Sequence, residues 1–208
     1  MININKVAIG AGYFNFQVPS AEGKTFIASQ VSIVEEYFEP FLIREDFDIV
    51  IEIGTFKGGL TILLDEIRKQ NNLKFKLHTL DIAIWNEFEF APVLDEFSKR
   101  EIPFHKVDIF SEKGITLVKS LLESNLKVCV LCDGGSKIEE FKFFSDYLKP
   151  GDIIMAHDYF HDIAPYSCPW EWKEISFSDI KPSIESNSLE MYLDTLFPQV
   201  AWACYKKP

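Results

Sequence analysis

The chain of 208 residues is long enough to bury one full hydrophobic core, and its hydrophobic content of 47% indicates a globular protein. A net charge of −11 argues against a broad phosphate-binding surface, so nucleic acid is not expected as a partner. The sequence has neither an apolar run of the ~20 residues that a membrane span needs nor the features of a signal peptide. We therefore expect a single domain over residues 1–208, located in the cytoplasm and not in a membrane.

Four cysteines raise the question of a zinc or redox site, because Cys129-x-x-Cys132 has the spacing of both. This pair lies in VCVLCD, where apolar residues alternate with cysteine in a predicted buried strand, and no second close pair accompanies it. Buried thiols that act as small hydrophobic side chains are the preferred interpretation, and they suit a reducing cytoplasm.

The amino-terminal part is predicted to be a mainly helical extension over residues 1–40. A short strand and a loop end at Pro19, Ser20 caps a helix that runs to Phe38, and Pro40 ends this helix. The apolar residues at helical spacing are Phe26, Ile27, Val31, Val34 and Phe38. This extension packs on a sheet edge or covers a ligand.

A regular alternation of strands and helices follows. Strands are predicted at 47–53, 75–81, 103–108, 127–133 and 152–157, and helices at 59–70, 86–99, 112–124 and 137–148. Such alternation predicts an α/β fold with a mostly parallel sheet and helices on both faces. A loop and a helix on the substrate side are expected at 159–195, and a final, antiparallel strand at 200–205 makes about seven strands.

The stretch from Phe47 to Asp65, FDIVIEIGTFKGGLTILLD, predicts a buried strand, a glycine turn and a helix. Glycine permits positive φ and close approach of a ligand, and the start of the helix offers free N–H groups. This is how a nucleotide-like cofactor is held in a doubly wound sheet. An ordinary strand–turn–helix is the alternative.

Acidic residues mark the carboxyl ends of five predicted strands: Glu52, Asp81, Asp108, Asp133 and Asp158. Ligands bind outside these ends in an open parallel sheet. Asp81 suits the hydroxyls of a ribose, and Asp108 could receive the exocyclic amine of a base. Each aspartate could equally cap a helix, although the series together with the glycine turn is harder to explain in that way.

With these residues, the stretch from Phe47 to Tyr159 resembles the class I S-adenosylmethionine-dependent methyltransferases. Glu52-x-Gly54-x-x-x-Gly58 is similar to the first motif of that family, whereas a dinucleotide dehydrogenase would prefer G-x-G-x-x-G. The resemblance implies a Rossmann-like seven-stranded fold and S-adenosylmethionine as cofactor. It assigns cofactor binding to Glu52, Gly54, Thr55, Gly58, Asp81, Asp108 and Asp133.

A narrower resemblance lies in Asp133-Gly134-Gly135-Ser136-Lys137, in Leu148-Lys149-Pro150-Gly151 and in His157-Asp158. These segments are similar to a subgroup of small-molecule and sugar O-methyltransferases and cephalosporin-hydroxylase-like proteins. By position, the resemblance implies that Asp133, His157 and Asp158 hold Mg²⁺ or Mn²⁺. Two features depart from the subgroup: Ser136 stands where many members have histidine, and a histidine-containing set leaves Mn²⁺, Fe²⁺ or no metal open.

Four residues are candidates for the base that deprotonates the acceptor. Lys137 could serve if a metal ion depresses its pKa, and the alternative is a solvated lysine. Without a metal, His157 or Asp158 is the base, and His161 could replace either. His78 and His105 lie within strands and are expected to be structural.

An aromatic cluster after the last parallel strand could stack on a sugar or a planar acceptor, or could form a hydrophobic plug. Its members are Tyr159, Phe160, Tyr166, Trp170 and Trp172. The expected activity is O-methylation of a small hydroxylated acceptor, a sugar included. A non-catalytic S-adenosylmethionine-binding protein is the alternative from another class, and a homo-oligomer stays open.

Overall fold

The computed structural model describes residues 5–8, 13–19, 25–31, 34–82, 87–162, 174–193 and 197–208. The strands are β1 (Asn5–Ala8), β2 (Tyr13–Pro19), β3 (Thr25–Val31), β4 (Ile49–Ile53), β5 (Lys76–Asp81), β6 (Phe104–Lys106), β7 (Val128–Cys132), β8 (Ile153–His157), β9 (Tyr159–Phe160), β10 (Ile175–Ser176), β11 (Glu190–Met191) and β12 (Trp202–Lys206). The helices are α1 (Val34–Glu45), α2 (Gly59–Gln70), α3 (Glu87–Lys99), α4 (Glu112–Leu122), α5 (Lys137–Ser145) and α6 (Phe177–Ser186), with a 3₁₀ turn at Phe197–Val200.

The central sheet has seven strands in the order β11-β12-β8-β7-β4-β5-β6. The pairings β4–β5, β4–β7, β5–β6 and β7–β8 are parallel, and β12 runs antiparallel to β8 and β11. The predicted α/β fold, with its mostly parallel sheet and antiparallel last strand, is confirmed. Because the sheet order reverses between β4 and β7, the carboxyl ends of these two strands flank the crevice where a ligand binds in such folds.

Two hydrophobic clusters cover the two faces of this sheet. One contains the buried sides of α1, α2 and α3, and the other contains those of α4, α5 and α6. The inner strands alternate between them: Val50 belongs to the first cluster, and Ile49 and Ile51 belong to the second. Continuously apolar strands such as β4 and β7 form here because helices bury both of their faces.

The prediction of a helix from Ser20 to Phe38 is wrong over residues 25–31, and among the described residues of this range only 34–38 are helical, as the start of α1. Residues 25–31 form β3, which pairs antiparallel with β2, and β2 pairs with β1 in a separate three-stranded sheet. Along β3, Phe26, Ala28 and Gln30 are buried whereas Ser29 is exposed, so the pattern has period two rather than 3.6. Pro40 does not end a helix but lies exposed inside α1.

The β3 strand passes directly over the start of α2. A Cβ atom added to Gly59 would lie 2.1 Å from the backbone nitrogen of Ala28, and Ile27 forms a parallel bridge with Gly58. Glycine at position 59 is therefore required by the close contact between two backbones. The amino-terminal sheet therefore packs on the glycine turn through β3, and its covering of a ligand stays a prediction.

The segment 159–195 contains more strand than predicted. Among the described residues of this segment, Phe177–Ser186 form the one α-helix, and β10 pairs parallel with β9 through Ile175 and Tyr159. Residues 163–173 lie outside the described residues, and with them Tyr166, Trp170 and Trp172. Within the described part of the chain, no helix has the length and apolar character needed to cross a membrane.

Candidate active site

The turn after β4 is shaped by Gly54, whose φ is +94°. Its backbone N–H donates to the carbonyl of Leu80 at 2.8 Å, and an added Cβ atom would lie 2.2 Å from the carbonyl oxygen of Asp133. The turn is therefore held between the carboxyl ends of β5 and β7. Only glycine combines this positive φ with this closeness to a neighbouring backbone.

We expect Gly54→Ala to lower the free energy of unfolding by about 2–4 kcal/mol, because the alanine adds both backbone strain and a clash. Gly135→Ala is the matched control, since a Cβ atom at this exposed glycine would meet nothing within 4 Å. Urea unfolding of the two variants measures the difference. Equal stability of both variants would contradict the described geometry of the turn.

Asp81 at the end of β5 supports the same turn. One carboxylate oxygen accepts the backbone N–H of Phe56 at 2.9 Å, and Phe56 itself has a φ of 48°. The next residue, Ile82, is 64% exposed, although it is large and apolar. The carboxylate and an exposed apolar side chain are thus adjacent at the edge where the sequence predicts a nucleoside.

Glu52 and Thr55 lie beneath the turn. The Glu52 carboxyl group is fully buried and accepts hydrogen bonds from the hydroxyls of Thr61 and Thr79. Thr55 is also buried and shares a hydrogen bond of 2.6 Å with Thr79. Burial raises the pKa of Glu52 to about 8, so this side chain is mostly neutral at pH 7. Cofactor binding by Glu52 and Thr55 stays a prediction. In this structure both side chains are buried and form hydrogen bonds with the hydroxyl of Thr79.

Asp108, after β6, forms a local turn and does not cap a helix. Its carboxylate accepts the N–H of Phe110 at 2.9 Å, and Ser111 caps α4 by accepting from Gly114. Asp108 is nevertheless exposed at the carboxyl end of its strand. Contact with a base stays a prediction.

The structure brings Asp133, His157 and Asp158 together at the ends of the adjacent strands β7 and β8. One ligand atom of each lies within 4.8 Å of the others, and His157 Nδ1 lies 2.9 Å from Asp133 Oδ1. Asp158 has a φ of 56°, a conformation that is uncommon outside glycine. The three residues that the sequence singled out therefore form one cluster.

His157 is held in one orientation. Burial alone would lower its pKa, but Asp133 and Asp158 outweigh this effect and raise the pKa above its ordinary value. Its ring lies 4.8 Å from the Trp202 ring, and its Nε2 atom is buried without a hydrogen-bond partner among the described residues. A buried nitrogen of this kind is rare in folded proteins and is available to accept a proton.

Gln30 on β3 joins the amino-terminal sheet to this cluster. Its side-chain N–H donates to Asp133 Oδ2 at 2.9 Å, and its carbonyl oxygen accepts from Trp202 Nε1 at 2.9 Å. Because indole can only donate, the contact to Trp202 determines the orientation of the amide. Sequence reasoning missed Gln30, since it assigned the residue to a helix and the contact to Asp133 spans 103 positions.

Lys137, the first residue of α5, inserts its ammonium group into the cluster. Nζ lies 3.1 Å from Asp158, 2.7 Å from Glu174 and 3.8 Å from Asp133. Burial would lower its pKa, but these carboxylates together raise it above its ordinary value. A general base needs the opposite shift, which the sequence analysis made conditional on a bound metal ion, so the role of Lys137 as the base stays a prediction. Glu174 was not recognised from the sequence.

The remaining histidines lie elsewhere. His161 stacks on Phe177 with ring centroids 4.7 Å apart. His78 and His105 contact each other on β5 and β6 at 3.1 Å, as expected for structural residues. Cys129, Cys132 and Cys204 are buried free thiols, and burial raises the pKa of each.

No known protein family and no curated protein matches this sequence. Among solved structures, the apo form described as CmcI-N160 matches with a TM-score of 0.61 and 14% identity, over 97% of this chain and 82% of that chain. The structure described as cmcI-D160 with Mg-SAM matches with a TM-score of 0.60 and 12% identity, over 96% and 81%. SAH-bound methyltransferase PaMTH1 of Podospora anserina matches with a TM-score of 0.57 and 14% identity, over 85% and 78%.

The chain has the fold of S-adenosylmethionine-dependent methyltransferases. The predicted Rossmann-like fold is thereby confirmed. The two CmcI structures match over 97% and 96% of this chain. The identities of 12–14% show the fold alone.

The residues around the glycine turn fit a nucleoside cofactor, because the Asp81 carboxylate lies at the strand end adjacent to the turn. A divalent ion, by contrast, does not fit the contacts that the cluster already makes. The distances within the cluster suit one, but Gln30 and His157 already occupy both oxygens of Asp133, and Lys137 pairs with Asp158. While Lys137 stays in place, the cluster does not fit a divalent cation.

Proposed function

We propose that this protein is an S-adenosylmethionine-dependent O-methyltransferase that acts on a small hydroxylated acceptor, with a sugar as the first class to test. The observation that carries the proposal is the 2.9 Å contact between His157 and Asp133 at the strand ends beside the glycine turn. It combines a base with an orienting carboxylate next to the predicted cofactor site. The free buried thiols support the further proposal of a cytoplasmic location.

When bound, the sulfonium of S-adenosylmethionine supplies an activated methyl group. The backbone at Gly54 and Gly58 and the carboxylate of Asp81 are the groups proposed to hold this cofactor. Asp81 is already oriented by the N–H of Phe56, so it requires little rearrangement to accept hydrogen bonds from ribose hydroxyls. Asp108 and the exposed Ile82 lie on the side proposed for the base.

His157 is the proposed general base. Its Nδ1–H donates to Asp133, which leaves the Nε2 lone pair to take the proton of the acceptor hydroxyl. Asp133 then stabilises the imidazolium ion, as the carboxylate does in a catalytic triad. Because Nε2 is enclosed in this structure, the acceptor has to open the site before it reaches this atom.

Cofactor binding is tested by calorimetric titration with S-adenosylhomocysteine. We expect Asp81→Asn to weaken binding by about 10- to 100-fold, because it removes a hydrogen bond to a charged group worth about 1.5–3 kcal/mol. Asp95→Asn, an exposed aspartate on α3, is the matched control and leaves the affinity unchanged. No heat and no thermal shift with the wild type would contradict the proposed cofactor.

Turnover separates the enzyme from a non-catalytic binding protein. We expect wild-type protein to release S-adenosylhomocysteine from S-adenosylmethionine with at least one sugar or phenol of an acceptor panel. A binding protein would keep its affinity for S-adenosylhomocysteine and release none with any acceptor.

A further inference from the structure

The positive charge among the carboxylates of this site belongs to the side chain of Lys137. Besides Asp158, Glu174 and Asp133, the Lys137 ammonium contacts the carbonyl oxygen of Gly134 at 3.1 Å. The Lys137 side chain is only 8% exposed, so water contributes little to its solvation. These oxygens come from three parts of the chain and surround one positive charge.

We propose that Lys137 is the resident cation of this site and takes the place that a divalent ion would need between Asp133 and Asp158. The wild-type protein then binds neither Mg²⁺ nor Mn²⁺ in the cluster. This inference adds to the proposed function. It rests on that function for one statement only, namely that the acceptor binds beside the cluster.

The position of Lys137 in α5 supports this assignment. A cation at the amino-terminal end of a helix is unfavourable, because the helix dipole and the free N–H groups favour anions there. The lysine is nevertheless the first residue of α5 and is buried. Its three carboxylate partners, rather than helix stability, explain why it occupies this position.

Backbone contacts between β9 and β10 position Glu174 beside Lys137. The backbone N–H groups of Glu174 and Ile175 both donate to the carbonyl of Asp158, and Ile175 pairs with Tyr159 across β9 and β10. These contacts hold Glu174 beside Asp158, where it meets the ammonium at 2.7 Å. A cluster built for a divalent ion has no need of this additional lysine–carboxylate pair.

The Asp133 carboxylate, on the other side of the cluster, is also occupied by contacts within the protein. Gln30 donates to one oxygen of Asp133 and is itself held by Trp202, while His157 contacts the other oxygen. A divalent ion would have to displace these donors and also lie close to the ammonium of Lys137. Repulsion between the two cations in a buried site is strong, because the local dielectric constant is low.

The test is titration with Mn²⁺, followed by the electron paramagnetic resonance signal of the free ion. Wild-type protein is expected to show no saturable binding in the cluster, and Lys137→Met is expected to bind Mn²⁺ at least about 10-fold more tightly. Lys142→Met, an exposed lysine of the same helix, is the matched control and behaves as the wild type. Lys137→Met/Asp158→Asn is expected to lose the binding that Lys137→Met gains.

Two results would overturn the inference. One is Mn²⁺ binding by the wild type with an affinity within threefold of Lys137→Met. The other is the absence of binding in both proteins, since removal of a resident cation should open the site. If Lys137→Met fails to fold by circular dichroism, Lys137→Gln takes its place. Titration with S-adenosylhomocysteine in the same buffer tests the proposed function separately, because a failed cofactor titration leaves the Mn²⁺ result unaffected.

Discussion

His157→Ala is expected to lower kcat for methyl transfer by about 10²–10⁴-fold, which is the range that general acid–base catalysis contributes. The variant loses the nitrogen that accepts the proton of the hydroxyl, while the glycine turn and Asp81 stay intact. The affinity for S-adenosylhomocysteine should therefore stay within threefold of the wild-type value. Initial rates at saturating acceptor and a calorimetric titration measure the two quantities.

A pH profile distinguishes a base from a purely structural histidine. His157 must be neutral to accept a proton, and its carboxylate neighbours raise its pKa above 6.5. The wild-type rate should thus rise with pH through this elevated pKa, and the residual rate of His157→Ala should not show that rise. His161→Ala is the control, because His161 stacks on Phe177 instead. An equal loss in both variants, or a wild-type rate that does not change with pH, would exclude His157 as the base.

Glu52→Gln is expected to raise the free energy of unfolding by about 4–5 kcal/mol at pH 9 and to have little effect near pH 4. Glu52 has a pKa of about 8 in the folded protein and 4.5 in the unfolded chain. Between these values the unfolded chain binds fewer protons, so the stability of the wild type falls as pH rises from 4.5 to 8. At 1.36 kcal/mol per pKa unit, this shift costs about 4–5 kcal/mol above pH 8.

Urea unfolding from pH 4 to pH 9 measures this effect. The difference between the wild type and Glu52→Gln should grow over the interval from pH 4.5 to 8 and then stay constant. Glu139→Gln is the control, because Glu139 is exposed on α5 and its removal should give no such pH dependence. A pH-independent difference between Glu52→Gln and the wild type would show that the carboxyl group is ionised at neutral pH in the fold.

The amino-terminal region shows why part of the fold could not be predicted. Phe26, Ile27 and Val31 fit a helical spacing as well as a strand, and the choice depends on pairing between β3 and β2. The strands β2 and β3 form a local hairpin, but the contact that places β3 over α2 joins Ile27 to Gly58, 31 positions away. Gln30 was missed for the same reason, since its partners Asp133 and Trp202 lie more than 100 positions away.

Sequence-based prediction met the same limit at the site, where the role of Lys137 depends on contacts with distant segments. Its sequence position next to Asp133 placed it near the predicted chemistry, but the sign of its pKa shift depends on Glu174 and Asp158. Glu174 reaches the cluster only because β10 pairs with β9. The sequence left open whether the lysine is a base or a solvated side chain, and the tertiary contacts instead make it a buried counterion of three carboxylates.

The sequence by itself determined the alternating strands and helices, the glycine turn and the carboxylates at the strand ends. These features follow from local periodicity and from the short-range needs of a turn, which a chain expresses residue by residue. Only the tertiary structure decided that Glu52 is buried beneath the turn and that Gln30 holds Asp133. It also decided that an ammonium group lies between the carboxylates. Such contacts join distant segments, and their energies depend on burial, which no single segment determines.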